Sequence, residues 1–192
     1  MGKKRRKPRT TVYVSLEGKR EFAFYEFVHE LYSPLGDRHI TPDDKRGGTS
    51  DVILERAIKN SHFDKSFAWF DEDIRLGDDI RNKLSQCWRV SIDPLVPDKE
   101  LQSTYNSMNR NPILIVSHPC SFDGAILSLL GSLPAKPSTA NCKRGLAGLI
   151  GCNCDSEKEK EYYHSHITRE QLEKSTHPTI QLILSIFRDK NK

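Results

Sequence analysis

Three short runs, residues 11–16, 67–70 and 112–116, are built almost entirely of β-branched, aromatic and aliphatic side chains. A strand with one wet face alternates apolar and polar residues. A strand that is apolar nearly throughout must be covered on both faces, which in practice means a parallel sheet between layers of helices. The intervening stretches carry helical spacing instead. Phe24, Phe27, Val28, Leu31 and Tyr32 recur every three or four residues and predict an amphipathic helix that ends before Pro34. Val52, Ile53, Ala57 and Ile58 predict a second helix, with Ser50 as its expected cap. Residues 79–88 and 125–130 carry further helical patterns, residues 89–92 read as another strand, and the loop-like residues 37–50 leave room for a short strand around His39 and Ile40. Strands alternating with helices predict an α/β fold, an open and mostly parallel sheet flanked by helices.

A chain of 192 residues has the length of one domain. Residues 1–10 read as a disordered basic arm, residues 11–130 as the α/β domain, and residues 131–192 as a mostly helical C-terminal extension packed on that domain. Within the extension, residues 145–151 form a Gly-rich apolar piece, residues 157–163 a charged stretch and residues 178–187 a final helix, but spacing alone assigns them no topology. Lys3, Lys4, Arg5, Arg6, Lys7 and Arg9 supply more than the entire net charge of +4, so the body that follows is mildly acidic. Such a body lacks the folded basic stripe of a dedicated nucleic-acid-binding domain, which leaves the arm or a local groove for that contact. No apolar stretch approaches the roughly 18 residues of a membrane span, and none follows the N-terminal charges as a signal-peptide core. A soluble, cytoplasmic protein is the expectation. Cys87, Cys120, Cys142, Cys152 and Cys154 are odd in number and irregularly spaced, and are read as thiols. Cys142, Cys152 and Cys154 with His164 and His166 do not have the spacing of a zinc site, so structural Zn²⁺ is not expected, and Cys120 is read as packing rather than as a nucleophile.

The chemistry should lie where the strands end. In an open parallel sheet the strand C-termini line one edge, and ligands bind there. Glu17 follows the first strand, Asp71 and Asp73 the second apolar run, and Asp123 the third. Carboxylates gathered in one crevice repel each other unless they share a cation, and hard oxygen donors suit Mg²⁺ or Mn²⁺. Period-two geometry turns Asp71 and Asp73 to one side as natural co-ligands, with Glu72 facing away. Glu17 would sit across the crevice, as a further ligand or as the base that activates water.

Three segments carry a resemblance. Glu17-Gly18-Lys19-Arg20-Glu21 with Tyr25 and Phe27 on the following helix, then Phe70-Asp71-Glu72-Asp73, then Ser117-His118-Pro119-Cys120-Ser121-Phe122-Asp123 before an apolar helix, occur in that order within residues 11–130. In order and spacing they resemble the RloB-like branch of the Toprim superfamily. The resemblance implies a Toprim-like sheet in which Glu17, Asp71 and Asp73 are catalytic and hold Mg²⁺, with Asp123 as a further metal ligand. It also implies a metal-dependent nuclease that hydrolyses phosphodiester bonds in DNA or RNA, tRNA included. Such a nuclease serves bacterial antiphage defence, often beside an ABC-type ATPase. How many copies assemble is left open, a homo-oligomer among the options. This chain departs from the family pattern at His118, where Asn is usual, at the inserted Ser121, at Asp123 in place of Glu, and at Glu21 in place of Thr.

Phosphodiester hydrolysis needs positive charge against the non-bridging oxygens and a means of deprotonating water. Lys19 and Arg20 beside Glu17, and Arg75 two residues beyond Asp73, are the candidates for touching the scissile phosphate. Lys3, Lys4, Arg5, Arg6, Lys7 and Arg9 would add salt-dependent affinity for the backbone, or serve only as a solubilising or targeting tail. The competing reading is a non-catalytic subunit of Toprim shape that binds nucleic acid or an ATPase partner. A primase or strand-passing enzyme is disfavoured, because the chain has no room for the extra domains those reactions use.

Overall fold

The computed structural model describes residues 10–43, 49–60, 62–71, 112–152 and 155–188. Four strands, β1 (Thr10–Leu16), β2 (Arg38–Pro42), β3 (Lys65–Asp71) and β4 (Ile113–Ser117), form one sheet in the order β2-β1-β3-β4. All three pairings are parallel. The fold is therefore α/β, with an open parallel sheet flanked by helices, consistent with a Toprim-like architecture. Helices α1 (Lys19–Tyr32) and α2 (Ser50–Lys59) make the first two crossovers. The chain leaves β1 for β2 on one side and returns for β3 on the other, so right-handed crossovers place α1 and α2 on opposite faces.

The two cores follow from that placement. Ile53, Leu54 and Ala57 of α2 pack with Ala68, Phe70, Leu114 and Val116 on one face. The opposite face carries Val12, Val14, Leu16, Phe67, Trp69 and Ile115 against Phe24, Phe27 and Val28 of α1. Because β1, β3 and β4 are buried on both faces, their sequences read as continuous apolar runs rather than alternating ones.

Beyond β4 come α3 (Phe122–Leu129), α4 (Thr139–Ile150), α5 (Ser156–His166), α6 (Arg169–Lys174) and α7 (Pro178–Phe187). They are not a separate layer. Leu146 of α4, Tyr163 of α5, Leu172 of α6, and Ile180, Ile183 and Leu184 of α7 join the same core as α1. Phe24 meets Phe122 and Tyr163 with ring centroids 5.5 and 5.3 Å apart. Arg38, buried at the start of β2, donates to the carbonyls of Ser185 and Ile186 and so satisfies orphan groups in the last turn of α7. None of the described helices is long and apolar enough to cross a membrane.

Several boundaries differ from the sequence expectation. Thr10, counted with the arm, is the first residue of β1 and pairs with Arg38. Ser50, the expected cap of α2, is its first helical residue, and the extended Thr49 precedes it as the N-cap. Helix α3 starts three residues earlier than its apolar pattern, because the Ser121 hydroxyl accepts the Gly124 N–H and caps it there. The Gly-rich piece belongs to α4, capped by Ser138 and ended by Gly151 at φ 78°, a left-handed position suited to glycine. Helix α6 had no periodicity to announce it in so few residues, but Thr168 and Gln171 form a capping box. The patterns at residues 79–88 and 89–92, and residues 1–9, lie outside the described residues.

Candidate functional site

Parallel register puts the ends of β1 and β3 side by side, with Leu16 opposite Trp69. This is the point where the strand order reverses, the usual ligand site of an open parallel sheet. Glu17 follows β1, and Asp71 is the last residue of β3. Glu17 Oε2 accepts the backbone N–H of Asp71 at 2.8 Å. Asp71 Oδ1 accepts the N–H of Phe122, the first residue of α3, at 2.7 Å. A helix N-terminus offers such unsatisfied N–H groups together with the positive end of its dipole. The carboxylates of Glu17 and Asp71 are thus oriented by main-chain donors from their neighbours.

The segment that aims Phe122 at Asp71 is tightly built. Ser121 N–H reaches back to the Pro119 carbonyl at 2.7 Å, which closes a turn around Cys120 at φ 63°. A non-glycine residue in this left-handed region is unusual, and such strain often sits at functional sites. Cys120, expected as packing, is half-buried at the apex of this turn. Any Cβ at Gly124 would lie 2.1 Å from the Pro119 carbonyl oxygen, so only glycine fits there.

Behind the edge lies a buried group of charges. Arg20 is 8% exposed, Asp123 2% and Glu159 0%. Arg20 Nε donates to Glu159 Oε1 at 3.0 Å, and Arg20 Nη1 donates to Asp123 Oδ1. One guanidinium therefore joins α1, α3 and α5. Burial pushes the Asp123 and Glu159 carboxyls up, and Arg20 pulls both back down. Glu21, also buried, is pushed well above the usual carboxyl range, first by desolvation and then by the charge of Asp71, with Glu17 and Asp123 adding to it. Burial and then Glu159 push the Tyr163 phenol up. Among the described residues, Glu159 Oε2 and the Tyr163 hydroxyl are buried without a hydrogen-bond partner.

Of the expected site residues, Glu17 and Asp71 are brought together. Asp123 is nearby, next to Phe122 in sequence, but its carboxylate is held by Arg20. Arg20 itself, expected at the scissile phosphate, is instead committed to an internal ion pair, while Lys19 is exposed at the start of α1. Asp73 and Arg75, and Lys3, Lys4, Arg5, Arg6, Lys7 and Arg9 of the arm, lie outside the described residues. Cys142 is buried in the core, His164 binds Glu30, and His166 stacks on Tyr162. Sequence reasoning missed Glu159 and Tyr163, and it noted Glu21 only as a departure from a family pattern. The signal for Glu21 was its place in the first turn of α1, just past Glu17 and Gly18. Glu159 sits in a stretch of alternating charge that looks solvated and offered no such signal.

Glu17 and Asp71 supply hard oxygen donors of the kind Mg²⁺ and Mn²⁺ take. Burial raises Glu21 first, and the charges of Asp71, Glu17 and Asp123 add to it, so negative charge gathers at this edge as a divalent cation would need. Among the described residues, no three His, Cys, Asp or Glu side chains are close enough together to hold a metal by themselves. Comparison of the chain with models of known protein families, with curated proteins and with solved structures finds no match.

Proposed function

We propose that this chain is a Mg²⁺- or Mn²⁺-dependent nuclease of the Toprim type, hydrolysing phosphodiester bonds in DNA or RNA as an effector of antiphage defence. The observation that carries the reading is the pairing of Glu17 with Asp71 across the β1–β3 switch point. Glu17, Asp71 and Asp73 would hold the ion. When bound, it supplies charge neutralisation at the phosphate oxygens and lowers the pKa of a water.

The remaining tasks fall to the chain itself. Phe122 N–H fixes the Asp71 rotamer, and the α3 dipole adds positive potential next to the site. Exposed Lys19, with Arg75 and the basic arm, would draw in the phosphate backbone against the acidic body. Cytoplasmic action and an ABC-type ATPase partner that gates the crevice belong to the same proposal.

The test is cleavage of plasmid DNA, single-stranded DNA and total tRNA in Mg²⁺ or Mn²⁺, comparing wild type with Asp71→Ala and with EDTA. Metal-dependent cutting reduced at least about 100-fold by Asp71→Ala is expected. The capture of Asp123 by Arg20 favours a non-catalytic subunit. In that case nucleic-acid or ATPase binding would persist unchanged in Asp71→Ala, with no cutting by either protein.

A further inference from the structure

We infer that the exposed cations Lys136, Lys143 and Arg144, on the loop before α4 and in its first turns, form the surface over which the phosphate backbone of the substrate nucleic acid lies. The inference rests on the nuclease reading above and names where that substrate is held. Between Asp123 and Asp155 the sequence contains no Asp or Glu, and these three residues are the only charged side chains there. On a mildly acidic body this is a local excess of positive charge.

The three cations are gathered by the fold. Helix α4 buries Cys142 and Leu146 and leaves Lys143 and Arg144 exposed, and Lys136 is exposed on the preceding loop. Asn141 ties the two ends together. Its Nδ2 donates to the Lys136 carbonyl at 3.3 Å, and its Oδ1 accepts from Arg144 Nη2 at 3.2 Å. Three exposed lysines elsewhere sit differently: Lys59, Lys158 and Lys174 each meet a carboxylate three or four residues away, on Glu55, Asp155 and Glu170. A paired carboxylate cancels much of a lysine's field, so those positions offer a polyanion less than the α4 group does.

This surface adjoins the proposed site through direct contacts. Thr139, the first residue of α4, donates through Oγ1 to the Cys120 carbonyl at 3.5 Å. Cys142 Sγ lies 3.4 Å from where a Cβ on Gly124 would stand. Helix α4 is thus packed on the turn that presents Phe122 N–H to Asp71. Burial raises the Asp123 carboxyl, and Lys143 is close enough to join Arg20 in pulling it back down. A strand whose phosphate reaches Asp71 therefore has α4 beside it. Lys and Arg contacts of this kind hold phosphate and position the strand without reading its bases.

Binding in EDTA, which withholds the metal, tests this apart from cleavage. Fluorescein-labelled single-stranded RNA and duplex DNA are titrated with the full chain across a NaCl series and read by anisotropy. Lys136→Gln/Lys143→Gln/Arg144→Gln is compared with Lys59→Gln/Lys158→Gln/Lys174→Gln, which removes the same charge from elsewhere. Circular dichroism confirms that both are folded. On each probe that wild type binds, the first triple variant should bind at least about 10-fold more weakly near physiological salt. Its plot of log Kd against log salt should also be shallower, by about 2–3 in slope. The second triple variant should bind as wild type does. An equal loss in both variants, or no loss in the first, overturns the inference and leaves the nuclease reading in place. No binding of either probe by wild type overturns the nucleic-acid reading itself, and this inference with it.

Discussion

Two ion networks join the same pair of helices, α1 and α5, and they have little else in common. At the start of α1, Arg20 reaches Asp123 and Glu159, with Glu159 fully buried. Near its end, Glu30 meets Lys160 and His164 at 2.9 Å each, but the Glu30 side chain is 48% exposed. Water screens the outer network, so pairs like these contribute about 0–1 kcal/mol. The inner network has lost that screening. Its attraction is set against a desolvation cost of similar size, and such a pair shows its strength mainly when one partner is removed. The outer network decorates a contact that Phe24, Phe27 and Tyr163 already make. The inner one sets where Asp123, and with it the start of α3, must lie.

The largest effect should come from breaking the inner network. Arg20→Met leaves Asp123 and Glu159 buried without their cation and should cost about 3–5 kcal/mol in urea unfolding. Adding Asp123→Asn and Glu159→Gln to that variant should recover most of the loss. If Arg20→Met alone costs under about 1 kcal/mol, the contrast between the two networks collapses.

Next comes the turn that the inner network supports. Gly124→Ala forces a Cβ against the Pro119 carbonyl and should cost about 1–3 kcal/mol. By moving Phe122 N–H off Asp71 it should also weaken Mn²⁺ binding, measured by calorimetry.

A pH series sets Glu21, buried beside the inner network, against Glu30 of the outer one by sign. The folded-state pKa of Glu21 is raised, so the folded protein keeps a proton that the unfolded chain releases. Stability is thereby lost as pH rises above the ordinary glutamate range. Glu21→Gln should melt near wild type at pH 4 and increasingly above it toward pH 8 in metal-free buffer. The pKa of Glu30 is lowered, chiefly by its hydrogen bond to Lys160, so its contribution is present above the ordinary glutamate range and lost as pH falls below it. The smallest effect follows from this. Glu30→Gln should lower stability by under about 1 kcal/mol at pH 7, and the difference should shrink in 1 M NaCl. A larger, salt-independent loss would show that the outer network is not screened as described.

Much of this architecture was legible in the residues. The apolar runs of β1, β3 and β4, the helical spacing of α1 and the bounds of α7 were all readable, because period and composition are local properties. So was the placement of Glu17 and Asp71 at strand ends, since parallel sheets align those ends. The helices α4 and α6 were not, because their apolar faces are narrow and tertiary packing of Leu146 and Leu172 stabilises them. Arg20 read as a contact to the scissile phosphate beside Glu17, and nothing in its neighbourhood marked it for an internal ion pair.

By itself, then, the sequence determined a parallel α/β sheet with acidic strand ends, because side-chain periodicity and burial are written residue by residue. Only the tertiary structure decided the fate of the charges. One of the two carboxylates that hold Arg20 is Glu159, 139 residues away on a helix with no marked amphipathic pattern. That pairing exists because α5 closes over α1 and removes both groups from water. Whether a charge is solvated, paired or left for a cation depends on what is packed around it, and no local pattern records that.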